Sequence, residues 1–381
     1  MIKKIYYWSP IISKIATAKA VVNSAKSLTS NSKKFDCTLI NSVGEFSSYK
    51  KKLKKYNINI KNFYKFDLQK FLPNKGYFLS RISFFIIFVL SFFKLKKLLV
   101  RDKPDYLIIH LITSLPLFLN LIYDFNTKFI LRISGLPKLN FFRKLFWKVA
   151  IKKIYYVTCP TEETKKFLIS NNLVKKNQVV VLYDPIIDFN DIKISRKKMS
   201  FYKKKFNNFI LCVGRLTYQK NFSLIIESFK YISLKKKNLN LVIAGEGEQK
   251  TKLMKLISEL GLEKKVFLIG HNRDIYTLFS CSKIFCLTSL WEDPGFVLIE
   301  AAFLKTNIIS SDCPNGPRDF FKNTKYKYNF KSNNLKELNQ KLFKVINKNY
   351  KIQYKYKKIL FNKSLNYTLK NHFNRIEGLL K

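Results

Sequence analysis

Histidine is nearly absent from this sequence: three in 381 residues leave no cluster that could hold zinc or iron. The six cysteines (Cys37, Cys159, Cys212, Cys281, Cys286, Cys313) are scattered through apolar, strand-like runs. None is spaced from another as metal ligands are, and Cys281 with Cys286 does not make a zinc knuckle. They read as buried thiols in a reducing compartment. Glycine and proline are few, 11 and 10, which excludes a collagen-like or linker-dominated chain. Acidic residues are few as well: 24 Asp and Glu face 72 Lys and Arg, a formal charge of +48. What is abundant is apolar. A hydrophobic share of 47%, with 35 Phe and 21 Tyr, excludes a disordered chain. At roughly 150 residues per domain the length predicts two domains, each able to bury its own core.

The positive charge invites two partners, nucleic acid or an acidic membrane surface. An AT-biased coding sequence produces the same wealth of Lys, Asn, Ile, Phe and Tyr, but it does not explain placement. Residues 1–100 hold 20 basic and 3 acidic side chains together with the most apolar run of the chain. That run, Ile82 to Phe93, is bracketed by Arg81 and by Lys94, Lys96 and Lys97. Twelve helical residues reach about 18 Å, short of a ~30 Å hydrocarbon core, so the run does not predict a membrane span. It fits a buried helix of an α/β domain, or a helix lying on a membrane with basic flanks against anionic headgroups. The N-terminus, Met1 to Pro10, reads as a strand and a turn. It lacks the apolar core of a signal peptide, so nothing in it points to export.

Short apolar strands alternate with helical stretches twice over. In the first half Ile5–Trp8, Cys37–Asn41, Tyr106–His110, Lys128–Ile133, Ile154–Cys159 and Gln178–Tyr183 read as strands. In the second, Phe209–Val213, Leu239–Ala244, Val266–Ile269, Ile284–Thr288 and Asn307–Ser310 repeat the rhythm. Strands of four to seven residues separated by helices predict parallel sheets covered on both faces. A lysine-rich stretch without apolar periodicity lies between them. The expected organisation is therefore a Rossmann-like domain over 1–187, a linker over 188–208, a second Rossmann-like domain over 209–362 and a closing helix over 363–381. Such doubly wound domains place ligands at the carboxyl ends of their strands, in the cleft between domains.

Four segments of the second half fall at those strand ends. Val213-Gly214-Arg215 leads through a loop to Lys220-Asn221-Phe222, and two cations five residues apart at a helix start suit a diphosphate. Ala244-Gly245-Glu246-Gly247-Glu248 lacks the third glycine of a dinucleotide fingerprint, and its acids would repel a pyrophosphate; it reads as a strand-to-helix turn. Gly270-His271-Asn272 follows a third strand and offers backbone to a nucleobase edge. In Glu292-Asp293-Pro294-Gly295-Phe296, Pro294 and Gly295 break the chain before a helix. Free N–H groups at 295–298 are expected there, ready for an anionic group. Glu292 precedes that helix and Glu300 lies within it, so the two carboxylates can bracket a ligand.

Between about Ile210 and Asp319 these motifs, with Ser311-Asp312-Cys313-Pro314-Asn315-Gly316-Pro317, occur in the order seen in family 4 glycosyltransferases, and the sequence resembles that family. The first half matches it more loosely, through the strand pattern and Pro104-Asp105-Tyr106-Leu107-Ile108-Ile109-His110. The resemblance implies a GT-B fold, an α/β architecture of two Rossmann-like domains facing a central cleft. It also implies transfer of a sugar from a nucleoside diphosphate with retention at the anomeric carbon. By that resemblance Arg215 and Lys220 neutralise the diphosphate, amides from Gly295, Phe296, Val297 and Leu298 hold its oxygens, and Glu300 binds ribose hydroxyls. Glu292 contacts the donor sugar, while Gly214 and His271 belong to the donor side. The sequence holds no Asp-x-Asp, so no metal is expected; the resemblance further implies no cofactor and a UDP- or GDP-sugar as donor.

The departures lie in the first domain. The glycine-rich loop common in the family is replaced by Ser9-Pro10-Ile11-Ile12-Ser13-Lys14-Ile15, where Ser13 and Lys14 are the acceptor-side candidates. Ser134-Gly135 stands where the family often has a histidine. Arg132 beside it is a candidate for acceptor or phosphate contact, and His110 is a candidate catalytic residue or a structural group at a strand end. The implied protein is a cytoplasmic enzyme of surface polysaccharide or lipopolysaccharide synthesis. Its acceptor is a lipid-linked or membrane-held glycan, and an anionic face of the inner membrane is its surface partner. A sugar-nucleotide epimerase of the same fold and a basic nucleic-acid-binding protein are the alternatives. The second is disfavoured because the cations are spread over both halves and no RNA-module signature occurs.

Overall fold

The computed structural model describes residues 2–12, 16–73, 77–349 and 351–381. Two compact units divide the chain: Met1–Ile186 with Tyr367–Lys381, and Ile187–Asn366. The first unit runs β1 (Lys3–Trp8), α1 (Ala16–Asn31), β2 (Phe35–Asn41), α2 (Lys50–Lys55), β3 (Asn59–Asn62), α3 (Tyr77–Asp102) and β4 (Tyr106–Ile109). It continues through α4 (Ser114–Ile122), β5 (Lys128–Arg132), α5 (Phe141–Ala150), β6 (Tyr156–Cys159), α6 (Glu162–Ser170) and β7 (Val179–Val181). All neighbouring strands are parallel, in the order β3-β2-β1-β4-β5-β6-β7. Tyr106-Leu107-Ile108-Ile109 buries every side chain, because crossover helices cover both faces of the sheet. On one face Val21, Val22 and Leu28 of α1 pack on Ile5, Tyr7, Cys37 and Leu39. On the other, Leu95 and Leu98 of α3, Leu115 and Leu119 of α4, Trp147 of α5 and Leu168 of α6 pack on Trp8, Leu107 and Leu131.

The second unit comprises α7 (Arg196–Phe206), β8 (Asn208–Val213), α8 (Phe222–Lys235), β9 (Leu239–Ala244), α9 (Lys250–Glu259), β10 (Val266–Leu268) and α10 (Ile275–Cys281). Then follow β11 (Ile284–Leu287), α11 (Phe296–Phe303), β12 (Ile308–Ser311), α12 (Gly316–Phe321), β13 (Asn329–Phe330), α13 (Leu335–Asn347) and α14 (Tyr354–Ser364). Its sheet is parallel throughout, β10-β9-β8-β11-β12-β13. The last helix, α15 (Leu369–Leu379), belongs to the first unit, where Phe373, Ile376 and Leu379 join the α1 face of the core. Two Rossmann-like α/β domains are therefore present, as the strand rhythm predicts.

Three expectations need correction. The segment 188–208 is not a bare linker: it carries α7, whose Tyr202 and Phe206 are buried and whose Lys198 bonds Asp274 at 2.7 Å. Its apolar residues are too few among lysines to give a visible period. The closing segment begins at Tyr367 rather than at 363, since α14 up to Ser364 stays with the second unit. The apolar run 82–93 is the middle of a 26-residue helix. No described helix is long and apolar enough to cross a membrane. All six cysteines are buried and free.

Candidate functional site

In the second unit β8 and β11 are neighbours, but the chain leaves β8 towards β9 and leaves β11 towards β12, on opposite sides. The loops that follow them diverge, and a doubly wound sheet binds its ligand at this switch point. The loop after β8 bears Arg215 and Lys220; the loop after β11 bears Glu292. Lys220 Nζ lies 2.5 Å from Glu292 Oε1, and Ser289 Oγ donates to the same oxygen at 2.5 Å. Glu292 is only 4% exposed. A carboxylate so far from water needs such a partner, because an isolated buried charge is costly.

Backbone contacts set this pair in place. Thr288 Oγ1 donates to Lys220 O at 2.9 Å, Leu290 N to Gln219 O at 2.8 Å, and Gln219 Nε2 to Trp291 O at 2.8 Å. Gly214 has φ +154, and a Cβ there would stand 3.0 Å from Lys220 Cε, so its missing side chain lets the lysine reach across. Gly245 serves packing instead, since a Cβ there would lie 1.8 Å from Gly214 O. The Gly-Glu-Gly turn thus lets two strand ends approach closely. Gly245 also bridges Gly270, which places His271 on an adjacent, exposed loop. Arg215 is exposed, and its guanidinium has no hydrogen-bond or ion-pair partner among the described residues.

The peptide Asp293–Pro294 is cis, and Gly295, in the left-handed region at φ +88, caps the start of α11. Leu298 N bonds Gly295 O at 3.0 Å, which removes that amide from the set of four expected to be free. The amides of Gly295, Phe296 and Val297 keep no partner among the described residues, and a helix N-terminus carries partial positive charge. Gly316 N donates to Glu292 O at 2.9 Å, and a Cβ on Gly316 would stand 1.9 Å from Pro294 O. The Pro-Asn-Gly-Pro motif is therefore the buttress beneath the Glu292 loop. Glu300, one turn into α11, accepts from Tyr276 OH at 3.0 Å. Burial, and then the Glu300 carboxylate, push the Tyr276 phenol well above its ordinary value. Gly214, Lys220, Glu292 and Gly295 thus form one cluster, with Arg215 at its rim and Glu300 anchored separately on α10.

Sequence reasoning missed Ser289, which shares the Glu292 oxygen, and Tyr276, which orients Glu300. The spacing of Ser289 three residues before Glu292 was visible; the approach of Tyr276 across 24 residues was not.

In the first unit the corresponding switch point lies between β1 and β4. His110 follows β4, its N–H bonded to Trp8 O at 2.9 Å and its ring 6% exposed. Burial, then the Arg132 charge, hold its pKa well below the ordinary value, so it is a neutral imidazole. Arg132 is 2% exposed and bidentate to Asp184, Nη2–Oδ2 2.6 Å and Nε–Oδ1 3.2 Å. Its guanidinium is buried against Asp184, with Nη1 left without a hydrogen-bond partner among the described residues. His110, Arg132, Thr158, Asp184, Ser24 and His372 line one small cavity under α15. Ser13 and Lys14 lie outside the described residues. Among the described residues no group of three His, Cys, Asp or Glu side chains is placed to hold a metal ion.

Residues 191–362 match the family model described as glycosyl transferases group 1. The chain is 31% identical over 246 residues to an uncharacterized glycosyltransferase of Methanocaldococcus jannaschii, covering 60% of each protein. It is 34% identical over 154 residues to the Campylobacter jejuni N-acetylgalactosamine-N,N'-diacetylbacillosaminyl-diphospho-undecaprenol 4-alpha-N-acetylgalactosaminyltransferase, covering 40% of each. These matches thus span less than two thirds of the relatives' own length. Among solved structures it is similar to a glycosyltransferase from Rickettsia africae, with TM-score 0.78 and 16% identity over 100% of this chain and 98% of that one. It is similar also to Anabaena Alr3699/HepE in complex with UDP and glucose, with TM-score 0.74 and 16% identity over 99% of each. Both Rossmann-like domains therefore have the fold of solved GT-B glycosyltransferases, and the unit that carries the Lys220–Glu292 cluster is similar in sequence to glycosyl transferases group 1.

Proposed function

We propose that this protein is a retaining, metal-independent glycosyltransferase of the family 4 type. It moves a sugar from a UDP- or GDP-sugar to a lipid-linked or membrane-held glycan acceptor in surface polysaccharide or lipopolysaccharide synthesis. The observation that carries the reading is the buried Lys220–Glu292 pair at the β8/β11 switch point, beside exposed Arg215 and the unpaired amides that open α11. The HepE structures hold UDP and UDP-glucose, and the Campylobacter relative is named for a diphospho-undecaprenol acceptor; both support the donor and acceptor classes.

Breaking the sugar–phosphate bond places negative charge on the departing diphosphate. Arg215 and Lys220 meet that charge with fixed cations, and the amides of Gly295, Phe296 and Val297 donate to its oxygens. These contacts strengthen as the bond lengthens, so they lower the barrier rather than merely hold the substrate. When the diphosphate takes over Lys220, Glu292 is released to accept from sugar hydroxyls. Glu300, oriented by Tyr276, accepts from the ribose. The acceptor hydroxyl attacks from the face the leaving group departs and gives its proton to the departing phosphate oxygen, so no carboxylate nucleophile is needed and the Glu pair is not a retaining-hydrolase dyad.

A thermal-shift panel of UDP-, GDP- and ADP-sugars identifies the donor, since a ligand at 100 times its dissociation constant stabilises by about 2.7 kcal/mol. With that donor, Glu300→Ala and Lys220→Ala are each expected to abolish sugar transfer, EDTA to leave it unchanged, and NMR to find the product with the donor's anomeric configuration. Full turnover in both variants removes the site assignment.

A further inference from the structure

Beyond the transfer reaction, we propose that the outer faces of α3 and α5 form a docking surface for an anionic lipid bilayer. The topology sets them on either side of α4, on one face of the sheet. All crossovers from β3 onward to β6 run over the same face of the first sheet, and α3, α4 and α5 share one core there. Phe118 of α4 meets Phe88 and Phe92 of α3 with ring centroids 6.0 and 6.3 Å apart.

A helix covering a sheet normally turns charge outwards. These two do the opposite. On α5 the outward positions i, i+1, i+4 and i+8 are Phe141, Phe142, Leu145 and Val149, with the two phenylalanines 76% and 78% exposed. On α3 the outward row is Phe85, Val89 and Phe93, the phenylalanines 68% and 75% exposed. Neither helix is long and apolar enough to cross a membrane, so the arrangement fits shallow burial in the headgroup region.

Charge selects the occupant. Exposed Lys94, Lys97 and Arg101 continue α3 beyond the apolar row, and Lys148 lies within the α5 face, with Lys152 just after it. The one acid on either helix, Asp102, is already engaged by Lys61 and Arg101. A second copy of a chain carrying +48 would bring repulsion to this face. A bilayer of anionic headgroups brings apolar depth and counter-charge together.

The test is flotation of the full chain with phosphatidylcholine vesicles, with and without a share of phosphatidylglycerol. The protein is expected to float with the anionic vesicles and not with the neutral ones. Phe141→Ser with Phe142→Ser, and separately Phe85→Ser with Phe93→Ser, should each lower binding by about tenfold. Circular dichroism melts and nucleotide-sugar binding, which involve other residues, should stay at wild-type values. Absence of flotation on anionic vesicles overturns the proposal, as does flotation that ignores both pairs of changes. A stable dimer that the same changes dissociate, without flotation, assigns the face to a second copy instead. Because flotation needs no donor or acceptor, its outcome is independent of the proposed reaction.

Discussion

Lys220 and Glu292 hold each other's charge in a place that water scarcely reaches, with side chains 13% and 5% exposed. Removing one member of such a pair costs more than the pair contributes, since the survivor is left buried and uncompensated. Lys220→Met is therefore expected to lower folding stability by about 3 kcal/mol in urea denaturation. Adding Glu292→Gln should restore most of that loss, because the amide keeps a hydrogen bond to Ser289 without a charge. Sugar transfer should remain absent in both variants. If Lys220→Met is as stable as the wild type, the ion pair does not exist in solution. Each of these residues is legible in the sequence, since strand ends and glycines mark the loops that bear them. That lysine and glutamate neutralise each other before a ligand arrives is not legible, because 72 residues separate them. The pairing of Arg132 is hidden for the same reason, since its partner Asp184 lies 52 residues away.

At the scale of elements, legibility follows burial pattern. The central strands are readable because parallel strands covered on both faces are uninterrupted apolar runs. Helix α5 keeps a 3.6-residue contrast, but apolar residues occupy its outward face as well as its inward one, so the contrast does not mark which side is buried. Helix α7 is hidden because lysines surround its few buried residues. Helix α15 is legible as an element, yet its docking is not, since it depends on His372. That ring donates from Nδ1 to Tyr183 O at 2.7 Å and meets Ser24 Oγ through Nε2 at 2.8 Å, in the neutral form. Burial lowers its pKa from 6.5 to about 4, with nearby Arg132 and Arg375 adding to the fall and Tyr183 O and Asp184 opposing it. The unfolded chain then binds a proton that the folded chain refuses. Stability is complete above pH 6.5 and falls as pH drops towards about 4, by up to about 1.4 kcal/mol per unit for this group. His110, also held neutral, adds a slope of the same sign. Urea midpoints measured down this pH range should fall more steeply for the wild type than for His372→Gln. Equal slopes would mean that His372 is not buried neutral.

For the whole molecule, connectivity decides what can be separated. The second unit is one continuous stretch, Ile187–Asn366, and the apolar cluster from Ile210 to Tyr356 lies wholly within it. The first unit is closed by the far end of the chain: Lys3 Nζ donates to Leu380 O at 2.6 Å, and Tyr106 OH to Lys381 O at 2.7 Å. Phe373, Ile376 and Leu379 fill the α1 face of its core. At about 2 kcal/mol for each buried side chain, losing them removes an amount comparable to the net stability of a domain, about 5–15 kcal/mol. A chain ending at Asn366 should therefore keep a folded second unit and lose the first. The excised segment 187–366 should melt cooperatively and bind UDP or the donor sugar, because Arg215, Lys220, Glu292, the α11 amides and Glu300 all lie within it. It should transfer no sugar. Calorimetry on the folded segment decides: heat of nucleotide binding places the diphosphate contacts within this unit, whereas a folded segment that binds no nucleotide makes those contacts insufficient by themselves.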